Sequence, residues 1–247
     1  MKNALILTAT ITPPAGAPDL KRVDPQLRRA DYLNAFDFYK GKLGSAFDRL
    51  VFADNSNSDV SEFVAASDGD PRMTVLSFQA NDHDPKFGRG YGEFRLIDEV
   101  VRQAPDLIEG FDRCWKVTGR YTIENIESLL LSGHATDDLI IHCRNRPRYW
   151  ADLYCMGWTR QGYDRVVKGI YHRLRSDLFG MPPEIIVRAI VDDLKATERF
   201  KVCRRFRTTP LVNGIRGVDS TNYLDPRHRW KIRYRRIAEY VAPWLWI

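Results

Sequence analysis

"ALILTATITPP", residues 4–14, is short, aliphatic and β-branched, and it is closed by two prolines. A run of this kind reads as a fully buried strand, and the prolines turn it into a loop. With Lys2 before it and "AGA" (15–17) after it, the same stretch has the outline of a secretory signal. Thr8, Thr10 and Thr12 interrupt the apolar part, so the strand reading is preferred. Strands and helices then alternate. Leu27, Ala30, Leu33 and Phe36 fall at helical spacing within 26–39, followed by strands "RLVFAD" (49–54) and "RMTVLSFQ" (72–79). A polar, glycine-rich loop, "NDHDPKFGRGYGE" (81–93), leads to a helix over 92–104, in which Phe94, Ile97, Val100 and Val101 share a face. "CWKVTGRY" (114–121) is the next strand, "IENIESLLL" (123–131) a short helix and "DLIIHCR" (138–144) another strand. This alternation predicts an α/β fold with a mostly parallel, Rossmann-like sheet and helices on both faces.

The second half is less regular. It holds mixed segments ("RYWADLYCMGW", 148–158), a helix near 163–177, a helix after "GMPPE" (180–184) and a basic stretch, "VCRRFR" (202–207). The expected organisation is two halves over one cleft, 1–135 and 136–225, with a basic and aromatic helix at 226–247. The chain has 247 residues, a net charge of +6 and 28% charged residues, an ordinary soluble composition that leans toward anionic partners. Cys114, Cys143, Cys155 and Cys203 form no C-x-x-C pair, which argues against a zinc site and for a reducing, cytoplasmic setting. No stretch reaches the length of a membrane span.

Six constellations carry candidate chemistry. Asp54 and Asn55 stand at a strand end, where they can read a ribose or base edge, or simply form a turn. In "KFGRGYGE" (86–93), Gly90 and its companions would let backbone approach a diphosphate, with Arg89 adding charge. In "KVTGRY" (116–121), alternation puts Lys116, Thr118 and Arg120 on one strand face, toward an anionic or polyhydroxylated partner or toward water. "NGIRGVDSTNY" (213–223), with Arg216 and Ser220, is long enough for a loop that closes over phosphates. In "DPRHRWKIRYRRIAEYVAPWLWI" (225–247), Arg227, Arg229, Lys231, Arg233, Arg235 and Arg236 crowd a helix whose other side carries Trp230, Tyr234, Ile237 and Val241. That pattern suits an anionic membrane surface, RNA, or a helix docked on the core. "DGD" (68–70) and "DHD" (82–84) match D-x-D, a motif that holds Mg or Mn on a diphosphate, but neither follows a hydrophobic strand directly.

Taken in order, "ILTATITP", "DYLNAFDFY", "VFADNSNSD", "GRGYGE", "KVTGRY" and "GIRGVDSTNY" resemble bacterial glycosyltransferases of lipopolysaccharide O-antigen and capsule biosynthesis. The resemblance runs over about residues 4–223. It implies a GT-A-like fold and transfer of a sugar from a nucleotide donor, a UDP-sugar for preference, to a glycan acceptor that is often lipid-linked. It places Thr8, Ala9, Thr10, Asp54 and Asn55 on the nucleoside. It places "GRGYGE" and "KVTGRY" along the donor pocket, and Arg216 and Ser220 in the late loop. The missing well-placed D-x-D leaves dependence on a divalent cation open. Breaking a sugar–diphosphate bond needs fixed positive charge, for which Arg89, Lys116, Arg120 and Arg216 are the candidates. An inverting transfer needs a carboxylate base, for which Glu184, at the start of a helix, and Asp152 are the candidates. An RNA-binding or other nucleotide-binding module using the basic helix is the alternative reading, and nucleic acid is not the favoured partner.

Overall fold

A computed structural model of the chain describes residues 1–17, 20–146, 148–196, 200–217, 220, 222–223 and 225–241. The elements run β1 (Asn3–Ala9), α1 (Pro25–Lys40), β2 (Arg49–Asp54), α2 (Ser61–Ala66), β3 (Met73–Ser77), α3 (Gly88–Gln103), α4 (Asp106–Glu109) and β4 (Arg113–Thr118). They continue with β5 (Thr122–Ile123), α5 (Ile126–Leu130), β6 (Leu139–Arg144), β7 (Trp150–Trp158), α6 (Arg160–Gly162), α7 (Ser176–Phe179), α8 (Pro183–Ala196), β8 (Val202–Cys203), β9 (Val212–Asn213) and α9 (Pro226–Val241).

Seven strands form one sheet in the order β3-β2-β1-β4-β7-β6-β8. Only β7 opposes the rest: its pairings with β4 and β6 are antiparallel, and the others in this sheet are parallel. The sheet is therefore mostly parallel, as expected, with the irregular segment "RYWADLYCMGW" supplying the reversed strand. Strands from both expected halves share it, so the 135/136 boundary falls inside one continuous sheet.

Period-2 alternation sorts side chains to the two faces. Ala4, Ile6, Val51 and Ala53 pack with Phe94, Ile97 and Val100 of α3 and with Val187 and Val191 of α8. Leu5, Leu7, Leu50 and Phe52 pack with Tyr32, Phe36 and Tyr39 of α1, Phe63 of α2 and Ile126 of α5. Strands β1 and β2 are buried on both faces, which is why they read as near-continuous apolar runs.

Two expectations change. The glycine-rich loop before residue 92 is not a loop, because "GRGYGE" forms the first turns of α3. Gly90 serves close packing: a Cβ there would lie 2.6 Å from Pro183 Cβ, at the start of α8. The helix near 163–177 is also broken. Short irregular turns replace it, interrupted at Gly169, whose φ of 69° is left-handed.

At the centre of the sheet, Gly157 faces Trp115 in the β4–β7 register, and a Cβ there would stand 2.7 Å from the buried indole. Gly157→Val should therefore cost about 1–3 kcal/mol through overpacking, read as a lower urea midpoint. An unchanged midpoint would contradict this register.

Candidate functional site

In this strand order the chain leaves β1 toward β2 on one side and later returns to β4 on the other, so the β1/β4 boundary is a switch point, where open α/β sheets bind ligands. A cleft of about 1350 Å³ opens there. Thr8, Ala9, Thr10, Asn55, Arg89, Thr118, Arg120, Asp152, Glu184 and Arg216 all line it. Asp54, Gly90, Lys116 and Ser220 are not among the lining residues.

The exclusions have physical causes. The Asp54 carboxylate accepts from the backbone N–H groups of Ile11 (2.7 Å), Ser56 (3.0 Å) and Ser58 (3.1 Å). It is consumed in tying the β1 exit to the β2 exit, and Asn55 beside it faces the cleft instead. Gly90 is spent on packing against Pro183. Ser220 is exposed, and its N–H donates to the Arg216 carbonyl at 3.0 Å. Val218, Asp219 and Thr221 of the same loop lie outside the described residues, as do the terminal "PWLWI" and the side chains of Arg227, Arg229, Lys231 and Arg236.

Lys116 is the instructive case. It does share a face with Thr118, but α3 covers that face. Lys116 has no exposed surface, and its Nζ lies 2.6 Å from Glu93 Oε1. The Nζ also donates to the Leu153 carbonyl at 2.5 Å and to Thr118 Oγ1 at 3.1 Å. Glu93 accepts from Thr8 Oγ1 (2.9 Å) and Thr118 Oγ1 (3.0 Å), so one carboxylate binds the ends of β1 and β4 to α3. Burial opposes its ionisation, but Lys116 and the two hydroxyls outweigh burial and hold it below the ordinary glutamate value. Sequence reasoning missed Glu93, although its spacing to Leu96, Ile97 and Val100 continues the buried stripe of α3.

Arg120 lies past the strand, in the turn after Gly119. The β5–β9 ribbon pairs Thr122 with Asn213 and so pins the late loop over this turn. A Cβ at Gly217 would meet the Arg120 guanidinium at 2.6 Å, so only glycine lets the loop lie so close. Arg120 Nε and Nη1 are buried and have no hydrogen-bond partner among the described residues. At the other wall, Arg89 Nη2 donates to Glu184 Oε1 at 2.6 Å, while Glu184 Oε2 is buried without a partner among the described residues. Burial pushes the Glu184 carboxyl above its ordinary range, against the pull of Arg89. Asp152 Oδ1 accepts from Arg144 Nη2 at 2.5 Å.

A divalent cation does not fit either D-x-D pair. Asp68 is paired with Lys40 and Asp70 with Arg72. Asp82 is paired with Arg95 at 2.6 Å, and Asp84 caps the turn at Pro85 by accepting from the Lys86 N–H. Among the described residues no group of three or more His, Cys, Asp or Glu is placed to hold a metal. No described helix is long and apolar enough to cross a membrane.

No protein-family model matches the chain, and no curated protein matches it. Solved structures similar to it include a protein described as a nucleotide-diphospho-sugar transferase from Desulfovibrio desulfuricans G20, at 15% identity and a TM-score of 0.48, covering 83% of this chain and 80% of that one. The inositol-1-phosphate CTP transferase from T. maritima matches at 15% identity and a TM-score of 0.46, over 98% of each chain. The galactosyltransferase LgtC, solved with donor and acceptor sugar analogues, matches at 10% identity and a TM-score of 0.45, over 82% of this chain and 72% of that one.

Glu93→Gln leaves Lys116 buried without a counter-charge and should cost about 3–5 kcal/mol of stability. Because Glu93 titrates below its ordinary 4.5 in the folded chain, its contribution is full above that pH and is lost as pH falls through the folded value. Urea titrations at stepped pH should show this acid slope in the native chain and a flatter one in Glu93→Gln. Equal slopes would remove Glu93 from this role.

Proposed function

We propose that the protein is a glycosyltransferase that moves a sugar from a nucleotide-sugar donor, a UDP-sugar first among the candidates, to a glycan acceptor of the bacterial surface-polysaccharide type. The observation that carries this reading is Arg120, a guanidinium held under the late loop at the sheet's switch point, with two buried N–H edges unmatched by any described residue. A fixed, largely buried cation suits the charge that develops on a departing diphosphate. Arg89 and Arg216 line the same cleft and add to it. Thr8, Ala9, Thr10 and Asn55 form the wall offered to the nucleoside.

In the proposed reaction an acceptor hydroxyl oxygen attacks the anomeric carbon. The bond from that carbon to the diphosphate oxygen breaks, the electron pair leaves with the diphosphate, and the hydroxyl proton passes to a carboxylate. Glu184 is the preferred base for an inverting course, since its buried Oε2 is unpartnered among the described residues and burial raises its proton affinity. Asp152 is the second candidate, held by Arg144.

Differential scanning fluorimetry with UDP-, GDP- and CMP-sugars and with CTP tests the donor. A nucleotide sugar should raise the melting temperature, and Arg120→Gln should abolish most of that rise. Glu184→Gln should keep donor binding and lose about 10²–10⁴-fold in turnover. A shift with CTP alone would favour nucleotidyl transfer, and no shift with any ligand would reject the reading.

The same reading includes peripheral contact with a membrane carrying a lipid-linked acceptor. Trp230, Tyr234, Ile237 and Val241 recur along one side of α9, and all are more than 60% exposed. Ile232 and Arg235 of the same helix line the cleft. Apolar exposure beside basic residues is the pattern of an interfacial helix. In a flotation assay, anionic vesicles should carry the native chain and release Trp230→Ala/Ile237→Ala. Equal flotation of both would reject the membrane contact.

A further inference from the structure

Positive charge is not confined to the donor end of the cleft. Eight Lys and Arg side chains line it against four carboxylates, among the described residues. All four carboxylates are already paired: Glu93 with Lys116, Glu184 with Arg89, Asp152 with Arg144 and Asp177 with Arg175. Of the eight cations, Arg89 and Arg144 are the partners of lining carboxylates, and Arg28 donates to the carbonyls of Thr10 and Arg22.

At the β6–β7 end the excess has a defined local geometry. The register jumps from Ile141↔Met156 to His142↔Asp152, which leaves extra residues on β7. Such a bulge re-aims side chains, and here Asp152, Leu153 and Tyr154 all line the cleft. Arg144 ends β6. Its Nη2 holds Asp152, but its Nε is buried without a hydrogen-bond partner among the described residues. Arg148, in the hairpin between the strands, is exposed on the cleft wall, and Trp150, two residues on, lines the same cleft with a half-buried indole. One carboxylate cannot balance Arg144 and Arg148 together, and an unmatched buried N–H seeks an oxygen. The guanidinium fork matches carboxylate and phosphate groups, and an indole face packs against a sugar ring.

We infer that this end of the cleft is an anion-binding sugar subsite: the acceptor is a sugar bearing a phosphate or carboxylate, held by Arg144 and Arg148 with Trp150 against the ring. The word acceptor rests on the function proposed above, while the subsite itself rests only on these residues.

Isothermal titration of the full chain without nucleotide tests it, with glucose, glucose 6-phosphate and glucuronate as probes. At least one anionic sugar should bind about tenfold or more tightly than glucose. Arg148→Gln and Arg144→Gln should each weaken that binding about tenfold, and Arg120→Gln should leave it unchanged. Arg148 is exposed, so its variant keeps the test decisive if Arg144→Gln fails to fold. Equal affinity for glucose and both anionic sugars overturns the inference. So does binding of none of the three, or a loss in Arg120→Gln with none in Arg148→Gln. UDP titrated into the same variants separates the two readings: anionic-sugar binding that persists without UDP binding removes the donor and leaves the subsite.

Discussion

A lysine with no exposed surface keeps its charge only if a carboxylate meets it, and the Lys116–Glu93 contact at 2.6 Å meets that demand. The pair fixes more than itself. Glu93 also accepts from Thr8 and Thr118, so the C-terminal ends of β1 and β4 and one side of α3 are bound to a single carboxylate. Arg89 precedes Glu93 by four residues on the same helix, and positions at that spacing share a face. Anchoring Glu93 thus sets Arg89 against the cleft, within reach of Glu184 on α8. The buried pair is best understood as a device of placement, since buried ion pairs add little stability over an apolar substitute.

How much of this the sequence discloses depends on what each signal encodes. Strands β1 and β2 are legible because both of their faces are covered, which makes them near-continuous apolar runs of the right length. Strand β7 is not, because nothing in "RYWADLYCMGW" distinguishes a reversed strand from a parallel one, and its bulge breaks any clean alternation. The glycines of "GRGYGE" suggest a loop because glycine is usually read through backbone freedom. Gly88, at a φ of 83°, does use that freedom, whereas at Gly90 the value is the missing side chain, which lets α3 approach Pro183. Such a reason exists only in three dimensions.

The site divides along the same line. The rule that ligands gather outside the carboxyl ends of parallel strands brings out Thr8, Thr10, Asn55 and Arg120. Alternation assigns Lys116 and Thr118 to one face correctly, but it cannot say that α3 lies over it. Asp54 has the right address and the wrong availability, since three backbone N–H groups already use its oxygens. Both D-x-D segments fail in the same way, each carboxylate being matched to a neighbouring cation or to a capping role. Residue type and position are sequence properties, whereas spare hydrogen-bonding capacity is a property of the fold.

Spare capacity also explains why the cleft has two ends. At the switch point it is the Arg120 guanidinium, trapped between the β4 exit and a loop that glycine allows to lie flat against it. At the bulge it is the buried Nε of Arg144, whose Nη2 is committed to Asp152. Glu184 connects them. Arg89 holds one of its oxygens, and the charges of Glu93 and Asp152 both act on it, so it is electrostatically a neighbour of each end. A carboxylate in that position gains a proton more readily than a solvated one, while the cations on either side draw negative charge away from it. The proposed displacement of a diphosphate by a hydroxyl requires proton acceptance and anion binding to be separated within one cavity, and Glu184 with the cations of the two ends is the arrangement proposed to meet that requirement.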